Sequence, residues 1–200
     1  MENILFCDID KTLTKPSADE FNLSEEDFQA TILDIKPNLD LINEIKTIVK
    51  QNSFSLVFNT GRSEVVRAET LVWLKRYFEA PVVLLMRPVA VGLEPEQVYN
   101  SKVRSVEKYL RNKNYDNLLF VDDNKEQLKK YIMQYPMSGA YAVEDGKLNR
   151  GFYPINLHKE PTEDEDTNDI EKELMYKERE IPQVERDVVL SPITDETFDD

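Results

Sequence analysis

The 200-residue chain contains a single cysteine, Cys7, and a single histidine, His158. One cysteine excludes an intramolecular disulfide and a cysteine-based zinc cage, and one histidine disfavours a histidine-centred catalytic triad. No apolar run approaches the roughly 18–20 residues that span a bilayer, and the first three residues lack the basic start of a signal peptide. The chain also lacks the Gly-x-Gly-x-x-Gly and P-loop strings of dinucleotide and ATP sites. We therefore expect a soluble, cytoplasmic enzyme or binding domain that does not act at a membrane.

Positive charge is scarce only at the C-terminal end. The formal net charge is -14, and residues 160–200 hold 16 of the 39 acidic residues but 4 of the 25 basic ones. The body is therefore nearly neutral, so the overall acidity does not exclude nucleic acid as its partner. We predict a domain over residues 1–158 and an acidic, disordered tail over residues 159–200. The tail could solvate the chain, bind a protein partner or shield basic side chains of the body.

Short apolar runs alternate with longer amphipathic runs along the body. The apolar runs predict strands over residues 4–7, 54–58, 82–86, 118–121 and 140–143, and the amphipathic runs predict helices over residues 37–50, 63–78, 101–111 and 125–135. Strands that alternate with helices of this length indicate a parallel sheet covered on both faces. We predict an α/β fold, a Rossmann-like three-layer sandwich with a mainly parallel sheet of about five strands.

Residues able to carry chemistry follow the predicted strands. They are Asp8, Asp10 and Thr12 after the first strand, Thr60, Gly61 and Arg62 after the second, Arg87 after the third, Lys102 at the start of a helix, and Asp122 and Asp123 after the fourth strand. Ligands of open α/β sheets bind outside the carboxyl ends of the strands, so we expect these side chains to line one cleft. Asp8 and Asp10 alternate with Ile9, and in an extended segment both carboxylates would face the same way.

Four aspartates that converge on one point repel one another unless a cation lies among them. Oxygen ligands without cysteine or histidine suit Mg²⁺. Thr60, Lys102, Arg62 and Arg87 would add hydrogen-bond donors and positive charge, a combination typical of a site for a dianionic phosphoryl group. Taken singly these motifs have ordinary explanations, since paired acids cap helices and Thr60 to Arg62 could be a strand-to-helix turn. The joint order of the motifs is what indicates a site.

The chain resembles the haloacid dehalogenase-like phosphohydrolases across about residues 3–145. The run Asp8-Ile9-Asp10-Lys11-Thr12 matches the first family motif, with Lys11 in place of the commoner glycine, and the later motifs match Thr60, Lys102 and the pair Asp122-Asp123. The resemblance implies that Asp8 is a nucleophile that forms a phosphoaspartyl intermediate and that Asp10 acts as acid and base. It also implies that Asp8, the main-chain carbonyl of Asp10 and the two later aspartates hold Mg²⁺. Thr60 and Lys102 would then bind phosphoryl oxygens.

Family members choose substrates largely through inserted cap domains. The two places for a cap here, from Leu13 to Lys36 and from Arg87 to Lys102, are too short for a full one, so we expect a capless or minimally capped body. Within the family, the stretches Thr60-Gly61-Arg62-Ser63, Leu85-Met86-Arg87-Pro88 and Phe120-Val121-Asp122-Asp123-Asn124 are similar to the phosphatase part of polynucleotide kinase-phosphatases. This likeness implies removal of a terminal 3′-phosphate from a nucleic acid. Because the chain lacks the P-loop string, we expect no kinase half.

Two other functions stay open at this point. A small-molecule phosphatase, acting on a nucleotide or a sugar phosphate, would use the same motifs. A non-catalytic binding module with the acidic tail as its working part is disfavoured because both Asp8 and Asp10 are present. The basic residues that could form a rim for a phosphate backbone are Arg62, Arg67, Arg76, Arg87, Lys102, Arg104 and Lys108. Some of them could instead pair with glutamates on the same helix faces.

Overall fold

The computed structural model describes residues 2–15, 30–79 and 81–153, with the backbone alone described for residues 152 and 153. The strands are β1 (Glu2–Cys7), β2 (Phe54–Ser63), β3 (Val83–Arg87), β4 (Tyr115–Asp122), β5 (Gly139–Glu144) and β6 (Lys147–Tyr153). The α-helices of the described ranges are α1 (Leu39–Gln51), α2 (Arg67–Lys75), α3 (Pro95–Leu110) and α4 (Lys125–Gln134). Short 3₁₀ turns span Ile32–Asp34 and Glu64–Val66. The acidic tail predicted over residues 159–200 lies outside the described residues and stays a prediction.

The strands form one sheet in the order β3-β2-β1-β4-β5-β6. The first five strands of this order pair in parallel, and β6 pairs with β5 in the antiparallel direction. β1 lies inside the sheet because its run Ile4 to Cys7 is apolar toward both faces and fully buried. The prediction of a mainly parallel α/β sheet is confirmed, but the sheet has six strands instead of about five.

Two hydrophobic layers enclose the sheet. Alternate side chains of β1, such as Leu5 and Cys7, pack with apolar residues of α1 and α2 on one face. Ile4 and Phe6 pack with α3 and α4 on the other face, which is the three-layer arrangement that the alternating elements predict. On this second face the ring of Phe120 stacks on Tyr131 of α4, with centroids 4.3 Å apart. No helix in the described ranges is long and apolar enough to cross a membrane.

One predicted helix boundary is wrong in a way that affects the site. α3 begins at Pro95, six residues before the expected start, and a proline at the first helical position is favourable because its missing N–H has no intrahelical partner. The first six residues of α3 contain only two adjacent apolar side chains, Val98 and Tyr99, after the proline, so they lack the apolar periodicity that reveals a helix. Lys102, expected at the start of a helix, therefore lies in the interior of α3.

Candidate active site

The carboxyl ends of β1 and β4 bring three aspartates together. β1 and β4 are neighbours in register, with Cys7 opposite Val121, and the Asp8 N–H donates to the Val121 carbonyl at 2.9 Å. Asp8 therefore leaves its strand beside Asp122, the last residue of β4. One carboxylate oxygen each of Asp8, Asp122 and Asp123 lies within 4.8 Å of the others. We call this group the carboxylate cluster.

Lys102 supplies the cluster with a buried positive charge. Its Nζ donates to Asp8 Oδ1 at 2.8 Å and to Asp122 Oδ2 at 2.6 Å, and the side chains of all three residues are 7% exposed or less. The second oxygen of Asp122, Oδ1, accepts from the Asn124 N–H at 3.0 Å. Lys102 thus fixes Asp8 and Asp122 in one orientation, as the sequence prediction of a lysine among the carboxylates requires.

The carboxylate cluster has an excess of negative charge. Burial raises the pKa of Asp8 well above its ordinary value; Lys102 opposes this shift, and Asp122 and Asp123 reinforce it. Burial, followed by the charge of Asp122, raises the pKa of Asp123 to about 6. Burial alone would lower the pKa of Lys102. The negative charges of Asp122 and Asp8 outweigh burial and raise this pKa well above its usual range. These shifts all mean that the cluster favours added positive charge.

The chemistry of the cluster fits a divalent metal ion. With all three carboxylates ionised, one ammonium group leaves two negative charges uncompensated, in a buried place where unpaired charge is costly. All donors are oxygens, and neither cysteine nor histidine lies in the cluster, which matches the preference of Mg²⁺. Asp8, Asp122 and Asp123 are therefore the side chains that would hold it.

The carboxylate cluster contains three of the four aspartates that were expected to converge, and Asp10 is not among the three, although its charge acts on Asp8. After Ile9 the chain enters a turn in which Lys11 has a φ of 59°. The Arg62 guanidinium binds both oxygens of Asp10, with Nη2 2.6 Å from Oδ1 and Nε 2.9 Å from Oδ2. The Asp10 side chain is 35% exposed, whereas the Arg62 side chain is 1% exposed, so only Asp10 of this pair is accessible.

Thr60 and Gly61 lie beside this ion pair. The Thr60 hydroxyl is 3.4 Å from Asp10 Oδ2 and accepts from the Arg62 N–H at 3.2 Å. A Cβ on Gly61 would come 2.9 Å from the Val98 side chain of α3, so this position requires a glycine for the close approach of β2 and α3. Thr60, Gly61 and Arg62 continue β2 instead of forming the separate turn that was the ordinary alternative.

Thr12 and Arg87 hold main-chain segments near the site. The Thr12 hydroxyl accepts from the Asp123 N–H at 3.1 Å and so joins the loop after β1 to the loop after β4. The Arg87 guanidinium donates to the Gly61 carbonyl at 3.0 Å and to the Val91 carbonyl, and it is 4% exposed. Arg87 thus has a scaffold contact and does not lie in the carboxylate cluster. Its predicted contact with substrate stays a prediction.

Sequence reasoning missed two residues that support Lys102. The Asn59 side-chain amide donates to the Lys102 carbonyl at 3.1 Å and to the Tyr131 hydroxyl at 2.8 Å. Asn59 and Tyr131 are both almost fully buried. Asn59 directly precedes Thr60 in β2, and an amide that follows the apolar run Phe54 to Phe58 is the signal that could have revealed it.

No family model matches the chain. A putative bifunctional polynucleotide kinase/RNA ligase of Autographa californica nuclear polyhedrosis virus is 28% identical over 120 residues, which is 60% of this chain and 16% of the relative. Two solved structures, of a Pnkp1/Rnl/Hen1 complex and of a Pnkp1/Rnl/Hen1 RNA repair complex, match with TM-scores of 0.56 and 0.57 and identities of 18% and 20%. Each covers 74% of this chain, which spans 47% and 44% of the matched chains. The structural likeness shows a shared fold.

Proposed function

We propose that the protein is a Mg²⁺-dependent phosphomonoesterase of the haloacid dehalogenase type that removes a terminal 3′-phosphate from a polynucleotide. The observation that carries the proposal is the buried carboxylate cluster, with Lys102 bridging Asp8 and Asp122 at 2.8 and 2.6 Å at the carboxyl edge of a parallel sheet. The burial of such a cluster carries a desolvation cost that a purely structural role does not explain. The cluster also has the charges that phosphoryl transfer needs.

Asp8 is the nucleophile in this proposal. Its Oδ1 is held by Lys102, whereas its Oδ2 accepts no hydrogen bond from a described residue and is available for attack on phosphorus. The bond from Oδ2 to phosphorus forms as the bond from phosphorus to the 3′ oxygen breaks, and the 3′ oxygen leaves with a proton. Water then attacks the phosphoaspartyl group, which releases inorganic phosphate and restores Asp8.

Asp10 serves the second step most directly. The Arg62 guanidinium holds the Asp10 side chain in one orientation, and in this proposal Asp10 accepts a proton from the attacking water. The same group, once protonated, is the donor to the leaving 3′ oxygen in the next cycle. Thr60 lies beside Asp10 and has a hydroxyl that can donate to a phosphoryl oxygen.

Mg²⁺, held by Asp8, Asp122 and Asp123, would supply the positive charge that offsets the phosphoryl oxygens beside the nucleophile. Lys102 has a separate task. Its ammonium group reduces the repulsion between the Asp8 and Asp122 carboxylates, and it holds both side chains oriented before the substrate binds.

Two observations support a polynucleotide end over a small phosphate ester. The sequence segments that could form a cap are short, and the Asp10 side chain is 35% exposed, which favours a bulky substrate. The relative and the two structures that the chain matches are described as a polynucleotide kinase/RNA ligase and as parts of an RNA repair complex. A small-molecule phosphatase is the competing outcome of the test below.

The chemistry is tested by phosphate release from an aryl phosphate with and without Mg²⁺. We expect Mg²⁺-dependent release by the full chain and a loss of about 10³-fold or more in Asp8→Asn, because the nucleophile is removed. The matched control is Asp116→Asn, an exposed aspartate on β4 about 20 Å along the strand from Asp122. A loss of activity equal in both variants, or none in either, contradicts the proposal.

The substrate is tested with a 3′-phosphorylated oligonucleotide, a 5′-phosphorylated one and a set of nucleoside monophosphates and sugar phosphates. We expect kcat/KM to be highest for the 3′-phosphorylated oligonucleotide. Preference for a nucleoside monophosphate or a sugar phosphate would replace the polynucleotide with a small-molecule substrate and would leave the chemistry unchanged.

A further inference from the structure

A groove runs beside the carboxylate cluster along the outer edge of the sheet. It encloses about 790 Å³ between α3 and the edge strand β3, with a further contribution from the 3₁₀ turn Glu64–Val66. From α3 it is lined by residues that recur at helical spacing, among them Gln97, Ser101, Arg104 and Lys108. Gln97 and Lys108 are eleven residues apart, so this lining stripe is about 16 Å long.

The groove is positively charged. Arg104 and Lys108 are exposed, and neither forms a hydrogen bond or an ion pair with another described residue. Arg67 also lines the groove, but two of its guanidinium nitrogens bind the carboxylate of Glu64, which cancels its charge. Arg104 and Lys108 therefore leave two net positive charges about one helical turn apart. Two exposed cations at such spacing suit successive phosphates of one strand.

The opposite wall of the groove is apolar. Leu85, Pro88 and Val91 line it from β3 and from the segment that follows β3. A wall of this kind can contact sugars and base faces while the helix side contacts phosphates, which is the combination found in grooves for single strands. Two serines of α3, Ser101 and Ser105, add hydroxyl groups to the helix side of the groove.

The groove is lined by residues that are sequence neighbours of the proposed reaction site. Ser101 lines the groove, and the next residue, Lys102, binds Asp8. On the strand side Met86 lines the groove, and the next residue, Arg87, donates to the carbonyl of Gly61 beside Thr60. On both walls, a residue that lines the groove is therefore followed directly by a residue at the reaction site or beside it.

We propose that this groove binds the nucleotides on the 5′ side of the terminal 3′-phosphate, with the strand backbone against Arg104 and Lys108. The inference rests on the proposed function and adds to it the path of the substrate. At about 3.4 Å per stacked nucleotide, the stripe accommodates about five nucleotides. A mononucleotide would reach only the carboxylate cluster.

The test uses a fluorescein-labelled hexaribonucleotide, with and without a 3′-phosphate, and measures its binding to the full chain by fluorescence anisotropy. Arg104→Glu and Lys108→Glu are each expected to raise Kd about tenfold at low salt and to lower the salt slope by about one. Lys50→Glu, an exposed lysine on α1 at the other face of the sheet, is the matched control and is expected to leave Kd unchanged. An unchanged Kd in the double variant Arg104→Glu/Lys108→Glu overturns the inference.

A parallel kinetic arm separates failure of the groove from failure of the proposed function. Both groove variants should retain wild-type hydrolysis of an aryl phosphate, while kcat/KM for the 3′-phosphorylated hexanucleotide falls about tenfold. An equal loss of kcat/KM on the aryl phosphate and on the hexanucleotide would contradict the proposal that the groove binds the strand. If the wild type releases no phosphate from either substrate, the proposed function is wrong. The anisotropy measurements then still test whether the groove binds the oligonucleotide. Competition by hexaglutamate as strong as that by the unlabelled hexanucleotide overturns the assignment to a nucleic acid in favour of an acidic peptide.

Discussion

Replacement of Lys102 by methionine removes the one ammonium group that the carboxylate cluster contains among the described residues. The Lys102 side chain is 7% exposed, and its Nζ lies 2.8 and 2.6 Å from Asp8 and Asp122. Methionine has a similar length and no charge, so the change isolates the electrostatic role. Asp8 and Asp122 then remain buried side by side without their shared cation.

The expected cost is large. Removal of one partner from a buried ion pair typically lowers the free energy of unfolding by about 3–5 kcal/mol. A domain of this size loses roughly 2–4 °C in Tm for each kcal/mol, so we expect Lys102→Met to lower Tm by roughly 6–20 °C. Mg²⁺ should restore part of this loss, because a ligand at 100 times its Kd stabilises the folded chain by about 2.7 kcal/mol.

Urea unfolding measures this cost, and fluorescence of Trp73, the only tryptophan, reports it because that side chain is fully buried. Lys50→Met, at an exposed position on α1, is the matched control. Adding Asp122→Asn to Lys102→Met should recover part of the stability, since it removes one of the two charges left facing each other. A Lys102→Met chain within about 0.5 kcal/mol of Lys50→Met would refute the view that the cluster is electrostatically strained.

Three further variants test the scaffold around the site. Gly61→Ala should destabilise the fold by about 1–3 kcal/mol, because the added Cβ would lie 2.9 Å from the Val98 side chain. Val98→Ala in the same chain should relieve this clash. If urea unfolding shows no such rescue, the explanation is wrong. Asn59→Ala should cost about 1–3 kcal/mol in the same assay, since the buried Tyr131 hydroxyl loses its partner, and an unchanged midpoint would show that Asn59 does not support α3. Lys11→Gly should raise stability by about 1 kcal/mol or less because Lys11 has a φ of 59°; a lower melting temperature would argue against strain at this turn.

The sequence predicts the sheet well where strands are buried on both faces. Ile4 to Cys7 has only one plausible place, inside a parallel sheet, and that is where the structure has it. β6 was missed because an edge strand needs few apolar side chains, and Lys147, Asn149 and Arg150 resemble a loop. The Asp145-Gly146 pair between β5 and β6 is typical of a hairpin turn, and both residues have the positive φ that a tight hairpin requires.

The candidate site could be predicted as a set of residues but not as an arrangement. Strand ends are visible in the sequence, so Asp8, Asp122 and Asp123 could be expected together. The direction of the Asp10 side chain depends on the turn at Lys11, which a residue spacing does not specify. The bidentate contact between Asp10 and Arg62 joins residues 52 positions apart, and only the register of β1 and β2 brings them into range.

The most direct test of the central claim is the release of phosphate from an oligonucleotide that carries a radiolabelled 3′-phosphate, followed with the wild type and Asp8→Asn in Mg²⁺ and in a chelator. We predict that the wild type releases the 3′-phosphate only in Mg²⁺, leaves a 5′-phosphate in place, and loses this activity in Asp8→Asn. Release that persists in the chelator or in Asp8→Asn would contradict the assignment of the carboxylate cluster as a metal-dependent phosphatase site.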